Sequence, residues 1–177
     1  QWPSSAASDV YKRQIPDYPK KGILFRDITT LIKSAEAFKY TNNKIIEISK
    51  KIEFDKVAAI ESRGFIFASI VSHVLGKPFI LLRKKDKLPA DTYSIDFELE
   101  YGKATIEVHK DSISKNEKVL IIDDLIATGG TAEAAAKLVE LSGGKVASFI
   151  FVINLFDLPG NKLLQKKGYD CLLYTSD

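Results

Sequence analysis

Short unbroken runs of apolar residues recur along this chain, and segments with helical periodicity separate them. A Val, Leu and Ile run without polar alternation is typical of a strand that helices cover on both faces. Such runs occupy residues 57–60, 79–82 and 119–122, and another buried strand is predicted at residues 146–153, where only Ser148 is polar. Helices are predicted at residues 34–51, from the turn at 61–65 to residue 75, at 131–141 and near 161–167. This order predicts an α/β fold with a mostly parallel central sheet flanked by helices.

Two segments depart from this alternation. Residues 17–27 place Pro and Gly around an apolar middle, which predicts an extended, non-helical cover, or small N-terminal hood. Residues 92–107 alternate between polar and apolar positions and turn at Tyr101 and Gly102. That pattern predicts two antiparallel strands joined by a mobile connection.

Composition narrows the classes of protein that fit. A chain of 177 residues with 45% hydrophobic content has the size of one globular domain with a good core. No apolar stretch approaches a membrane span and no signal segment is visible, so we expect a cytoplasmic protein without membrane contact. The net charge of +3 is mild and mostly spread, which argues against nucleic acid as a partner. The single cysteine excludes an internal disulfide framework.

The two ends of the chain are related to each other at the level of codons. Codons can be chosen for residues 8–14 whose reverse complement, read one base in, encodes Cys-Leu-Leu-Tyr-Thr-Ser, the sequence of residues 171–176. This relation predicts that residues 1–14 and 171–177 are non-native and derive from a sequencing-library adaptor. We therefore expect one native domain over residues 15–170, with the strand after the last helix missing.

The central segment, residues 119–131, runs from a buried strand through two carboxylates into a small-residue loop and a helix. Ligands of parallel sheets bind beyond the carboxyl ends of the strands, and Asp123 and Asp124 are predicted to lie at that end of this strand. Backbone N–H groups at the start of the next helix form an anion site. We call residues 127–131 the phosphate loop; its members are Ala127, Thr128, Gly129, Gly130 and Thr131. Carboxylates beside a phosphate site suit a phosphorylated sugar, whose hydroxyls they can face.

This segment resembles the phosphoribosyl diphosphate (PRPP) motif of the type I phosphoribosyltransferases. It lacks the Gly-Lys-Ser/Thr of a Walker loop and the Gly-x-Gly-x-x-Gly of a dinucleotide fingerprint. The resemblance implies that the phosphate loop binds the 5-phosphate of PRPP. It also implies catalytic roles for Asp123 and Asp124, with Mg²⁺ carried by PRPP rather than bound directly by the protein.

Basic residues follow two other predicted strands. Arg63 lies beside Gly64 in a turn where a guanidinium suits pyrophosphate, although a salt bridge at the helix start fits the residues equally well. The run from Arg83 to Lys87 reads either as a solvated face or as a pyrophosphate site. By the resemblance, Arg63, Arg83, Lys84, Lys87 and Tyr101 contact pyrophosphate, and the basic run does so across the interface of a homodimer.

The remaining assignments come from the members of this family that act on adenine. Residues 17–27 resemble their hood, which implies that Phe25 stacks on the base while Leu24 and Arg26 read its edge. Leu155 matches an apolar contact to the base. Glu100 matches a residue of the flexible catalytic loop that is proposed to assist proton transfer.

The resemblance implies transfer of the 5-phosphoribosyl group from PRPP to adenine, giving AMP and pyrophosphate in purine salvage. Two alternatives stay open. One is a hypoxanthine, guanine or xanthine phosphoribosyltransferase, against which residues 24–26 are the only argument from the sequence. The other is a PRPP-sensing regulator, which would not need the loop that carries Glu100 and Tyr101.

Overall fold

The computed structural model describes residues 14–16, 24–26, 28–99, 102–154 and 159–175. The chain divides into two compact units, one made of residues 1–44 and the other of residues 45–176. No helix in these described ranges is long and apolar enough to cross a membrane.

The N-terminal unit contains a small antiparallel sheet, and the second of its two strands belongs to the predicted hood at residues 17–27. Its strands are β1 (Gln14–Pro16) and β2 (Leu24–Arg26), with Ile15 opposite Phe25. A short helix α1 (Thr29–Lys33) follows, and α2 (Ala35–Ser49) begins in this unit and ends in the next. The hydroxyl oxygen of Ser34 accepts a hydrogen bond from Ala37 N at 3.3 Å, so Ser34 caps the start of the long helix.

The second unit is built on a seven-stranded sheet in the order β5-β6-β4-β3-β7-β8-β9. Strands β3, β4, β7, β8 and β9 pair in parallel, and β6 joins the hairpin β5-β6 to β4 in antiparallel orientation. The predicted fold, a mostly parallel sheet flanked by helices, is confirmed. The strands are β3 (Lys56–Ile60), β4 (Phe79–Lys84), β5 (Thr92–Leu99), β6 (Gly102–His109), β7 (Lys118–Ile126), β8 (Lys145–Asn154) and β9 (Cys171–Thr175).

Helices cover both faces of this sheet. On one face, α4 (Gly130–Leu141) and α5 (Gly160–Lys166) bury Leu138 and Leu164 against the main core. On the other, α3 (Gly64–Leu75) buries Phe67 and approaches Ala59 and Ile122. Because β3, β7 and β8 are covered twice, their side chains are buried along unbroken runs, as the apolar pattern predicted.

The expectation of a missing last strand was wrong for this chain. Residues 171–175 form β9, which pairs in parallel with β8 from Cys171 opposite Phe149 to Thr175 opposite Ile153. The segment Cys-Leu-Leu-Tyr-Thr is apolar and strand-forming, and the edge of β8 supplies backbone hydrogen-bonding partners. The non-native origin of residues 1–14 and 171–177, and the native domain over residues 15–170, stay predictions.

Candidate active site

Strand β7 carries the two acidic residues beyond the point where β3 stops pairing with it. Its register with β3 ends at Ile122, whereas its register with β8 continues to Ile126 opposite Asn154. Asp123 and Asp124 therefore lie near the carboxyl end of β7, as predicted, and the strand continues two residues past them to Ile126. This extension is non-local, because β8 continues the ladder past the last apolar residue of the run.

Helix α3 begins directly against these carboxylates. A Cβ atom on Gly64 would lie 2.9 Å from Ile122 O and 3.0 Å from Asp123 Oδ1, so only glycine permits this approach. Arg63, the residue before the helix, places its Nε 2.9 Å from Asp124 Oδ2. The salt bridge that the sequence left open is thus present, and the Arg63 side chain is still 38% exposed whereas Asp124 is 3% exposed.

Burial sets the electrostatics of the acidic pair. It raises the pKa of Asp123 well above its ordinary value, and the neighbouring Asp124 carboxylate raises it further. Burial also raises the pKa of Asp124, although the Arg63 guanidinium opposes that change. Asp124 N donates to Asp123 Oδ1 at 2.8 Å. Asp124 Oδ2 is buried and has no hydrogen-bond partner among the described residues, so Arg63 Nε at 2.9 Å compensates its burial only in part.

The phosphate loop turns directly from β7 into α4. Gly129 is the N-cap of α4 and has φ +88°, a left-handed conformation that favours glycine. Thr131 lies in the first turn of the helix instead of at the N-cap position that its side chain would suit. The N–H groups of Gly130, Thr131 and Ala132 point out of the helix start, where the dipole favours an anion.

A cavity of about 200 Å³ joins these groups. Residues 60–63, 123–129, 131 and 132 line it, so the acidic pair, Arg63 and the phosphate loop face one space. It is smaller than the roughly 300–1,000 Å³ of typical drug-sized pockets. A small phosphorylated sugar fits such a space better than a dinucleotide does.

Hydrogen bonds connect the basic run to Glu61, in the turn that precedes Arg63. Glu61 accepts hydrogen bonds from Arg83 Nε at 3.3 Å and Arg83 Nη2 at 3.2 Å, and from Lys84 N at 3.0 Å. These contacts, led by the hydrogen bond from Arg83, lower the pKa of Glu61. Arg83 Nη1 also donates to Lys87 O at 3.2 Å, while the side chains of Lys84 and Lys87 are exposed.

Arg83 and Lys84 form the end of β4, whereas the sequence placed them just beyond it. Strand β6 extends the pairing, with Arg83 opposite Glu107 and Lys84 opposite Ile106. The predicted hairpin over residues 92–107 is confirmed, and β5 pairs with β6 from Thr92 opposite His109 to Leu99 opposite Gly102. A Cβ atom on Gly130 would lie 3.1 Å from Glu98 O, so the turn end of this hairpin adjoins the phosphate loop.

Some predicted site residues belong to the other compact unit or lie outside the described residues. Leu24, Phe25 and Arg26 form β2 of the N-terminal unit. Glu100, Tyr101 and Leu155 lie outside the described residues, and their roles stay predictions.

Sequence analysis also missed two residues that build the site. Glu61 follows a buried strand as a carboxylate, which was a usable signal for its role in holding the basic run. Gly160 packs against the phosphate loop. Its only signal in the sequence is the preceding Pro159, because a Pro-Gly pair indicates a turn.

The sequence and the structure of this chain are similar to those of known proteins of one family. Residues 29–172 match the family model described as the phosphoribosyl transferase domain. A protein from Pelagibacter ubique named adenine phosphoribosyltransferase is 73% identical over 159 residues, which cover 90% of this chain and 91% of that relative. The crystal structure of adenine phosphoribosyltransferase from Thermoanaerobacter pseudethanolicus is 45% identical with a TM-score of 0.90, covering 96% of this chain and 97% of that one. The Saccharomyces cerevisiae adenine phosphoribosyltransferase, solved with D-2,5-dideoxy-2,5-imino-altritol 1,6-bisphosphate and adenine, is 31% identical with a TM-score of 0.85, covering 98% and 100%.

Proposed function

This chain belongs to the adenine phosphoribosyltransferases of the phosphoribosyl transferase family, and we propose that it converts adenine and PRPP into AMP and pyrophosphate. The observation that carries this proposal is one cavity that joins an acidic pair to an N–H-lined loop. The yeast relative, solved with a sugar bisphosphate and adenine, supports the same substrate classes.

The phosphate loop binds the 5-phosphate of PRPP. Its N–H groups at the start of α4 act with the helix dipole, and the hydroxyls of Thr128 and Thr131 add two uncharged donors. Thr128 is exposed and Thr131 is half-buried, and both line the cavity. This subsite recognises the part of the substrate that does not change during the reaction, so it supplies positioning.

The acidic pair faces the ribose. Asp124 Oδ2 is a buried acceptor without a hydrogen-bond partner among the described residues, which suits a ribose hydroxyl. When the bond from C1 to pyrophosphate lengthens, positive charge builds on the sugar, and a nearby carboxylate stabilises that charge. Arg63 holds Asp124 at 2.9 Å and fixes its orientation before substrate arrives.

Pyrophosphate leaves between Arg63 of one subunit and the basic run of a second copy of the chain. Arg63, Arg83, Lys84 and Lys87 bind it, with Tyr101 from the connection of the hairpin. Mg²⁺ would bind the phosphate oxygens and offset their charge. In the described ranges no three His, Cys, Asp or Glu side chains converge as metal ligands. In this proposal Mg²⁺ reaches the site with PRPP, whose oxygens supply its ligands, and the protein does not bind it directly.

The chemistry at the base is a substitution at C1 of the ribose. The bond from C1 to the pyrophosphate oxygen breaks with its electron pair, the bond from adenine nitrogen to C1 forms, and that nitrogen loses its proton. Glu100 assists this proton transfer. Phe25 stacks on adenine, Leu24 and Arg26 read its edge through the backbone, and Leu155 contacts it. Exclusion of water by the hairpin connection protects the cationic sugar from hydrolysis.

The enzyme acts as a homodimer in the cytoplasm. The basic run then serves the pyrophosphate site of the partner subunit. Leu81 supports this arrangement, because it is 39% exposed in the middle of β4, on the same side of the strand as Arg83.

The test is AMP formation from PRPP, Mg²⁺ and adenine, compared with hypoxanthine and guanine at equal concentration. We expect product with adenine only. Turnover of an oxopurine instead would keep the PRPP site and overturn the assignment of residues 24–26. Binding of PRPP without turnover of any base would indicate a PRPP-sensing regulator.

A further inference from the structure

A glycine from outside the phosphate loop packs directly against it. Gly160, the first residue of α5, is buried, and its N–H donates to Ala127 O at 2.9 Å. The residue has no side chain that could bind substrate, so its influence on the site acts through the loop.

The two backbones meet with no space for a side chain. A Cβ atom on Gly160 would lie 2.8 Å from Gly129 N and 2.8 Å from Ile126 Cγ1, and it would overlap Ala127 O. A Cβ atom on Gly129 would in turn lie 2.9 Å from Gly160 Cα. Each glycine is therefore required by the position of the other.

Helix α5 is also held at points further along its length, so it cannot easily move away. Leu164 is fully buried in the core. Lys167, next to the helix end, places its Nζ 2.7 Å from Glu133 Oε1 in the first turn of α4. Glu133 N donates to Gly129 O at 2.8 Å, which connects that turn to the phosphate loop. A methyl group added at residue 160 would therefore displace the loop.

We propose that Gly160 is a positioning residue for the 5-phosphate subsite. Its N–H occupies the Ala127 carbonyl, whose partial negative charge would otherwise be free to turn toward the bound anion. Its missing side chain lets the loop settle against α5 with the N–H groups of Gly130 and Thr131 directed outward. The inference rests on the proposed function, because it takes the phosphate loop as the site of the PRPP 5-phosphate.

Gly160→Ala tests this role. Gly160 does not adopt a left-handed φ, so alanine suits its backbone and would favour the helix if no contact opposed it. We expect ribose 5-phosphate, measured by calorimetry, to bind about tenfold more weakly for each hydrogen bond to the anion that is lost. Pyrophosphate with Mg²⁺ should keep its affinity, because the atoms nearest to a Cβ atom on Gly160 belong to residues 126–129 and not to Arg63 or the basic run. The KM for PRPP should rise more than kcat falls.

Gly168→Ala is the matched control. Gly168 follows the same helix with φ +86°, and a Cβ atom there would meet nothing within 4 Å. This substitution strains the backbone without touching the loop, so it should lower Tm and leave both ligand affinities unchanged. If Gly160→Ala does not fold, Lys167→Gln loosens α5 without a clash and should weaken ribose 5-phosphate binding by about two- to fivefold.

A selective loss of ribose 5-phosphate affinity supports the inference. Unchanged affinity in Gly160→Ala, or in Lys167→Gln where that variant is the one measured, would overturn it. Equal loss for ribose 5-phosphate and pyrophosphate would also overturn it, because general misfolding affects both subsites. If the unaltered protein forms no AMP from adenine, the proposed function fails, and these affinities still decide the role of Gly160.

Discussion

Asp124 combines two properties that destabilise the folded protein when no ligand is bound. Its carboxylate is almost fully buried, and Oδ2 has a cationic neighbour at 2.9 Å but no hydrogen-bond partner among the described residues. Burial without full compensation costs folding free energy. A catalytic role explains why the Asp124 carboxylate is buried despite this cost. When the sugar becomes cationic, the preorganised carboxylate stabilises the transition state.

Asp124→Asn should therefore lower kcat more than it weakens PRPP binding. We expect a fall of about 100-fold in kcat, the usual effect of losing one preorganised electrostatic contact. The dissociation constant of PRPP should change by less than about tenfold, because asparagine keeps one acceptor for a hydroxyl. Steady-state kinetics and calorimetry measure the two effects, with the exposed Asp111→Asn as control. An unchanged kcat would remove Asp124 from the chemistry.

Asp123 allows a test through stability. Its pKa is raised in the folded state, chiefly by burial, so the folded protein binds this proton more tightly than the unfolded chain does. The destabilising effect of ionisation is therefore absent below the unfolded pKa of about 3.9 and grows as pH rises toward the folded value. Asparagine keeps the Oδ1 acceptor for Asp124 N and has no charge to bury.

Asp123→Asn should raise Tm at neutral pH by about 2–4 °C, equivalent to roughly 1 kcal/mol in a chain of this size. The difference from the unaltered protein should vanish as pH falls below about 4. Thermal melts across pH 3.5–8 measure this dependence. A Tm difference that is the same at every pH would contradict the role of burial.

At the scale of elements, the start of α3 fixes the geometry of the acidic pair. Gly64→Ala would place a methyl group against Ile122 O, a backbone atom that cannot rotate away, and against Asp123 Oδ1. We expect a loss of about 1–3 kcal/mol in the free energy of unfolding, measured by denaturant titration, together with lower activity. Ser69→Ala, on the exposed side of the same helix, should leave both unchanged. Full stability and activity in Gly64→Ala would show that α3 can shift without disturbing the acids.

The sequence predicted those elements whose residues carry their own signal. Residues 57–60 and 119–122 are apolar without interruption because both faces of β3 and β7 are covered. The polar ends of β4 and β7, at Arg83 and Asp123, gave no such signal, because β6 and β8 extend these strands through ladder hydrogen bonds from distant parts of the chain. Helix α1 has only five residues, too few to show a period.

In the site, too, the sequence predicted the local features and missed the contacts between distant residues. The phosphate loop and Arg63 were predicted because their residue types and order are local. The pairing of Glu61 with Arg83, and of Gly160 with Gly129, joins residues that are far apart in sequence. Only the packing of the sheet brings such pairs together, and a single sequence contains no record of it.

At the scale of the whole molecule, β4 leaves part of its surface uncovered. Phe79, Leu81 and Arg83 alternate onto the side opposite the main core, which contains Ile80 and Leu82. Leu81 is 39% exposed, and Val74 near the end of α3 is 52% exposed. An apolar strand surface beside the basic run agrees with the proposed homodimer, in which that run reaches the partner's pyrophosphate site.

Leu81→Asp should therefore dissociate the dimer. Burying an unpaired carboxylate in an interface costs several kcal/mol, so a penalty of about 3 kcal/mol would raise the dimer dissociation constant by more than about 100-fold. Sedimentation velocity over a concentration series measures this change, and kcat/KM for PRPP should fall as the monomer forms. Leu141→Asp is the control, since Leu141 is 51% exposed at the end of α4, and it should remain dimeric. A fully active monomer would separate the basic run from any partner's site and place all pyrophosphate contacts within one chain.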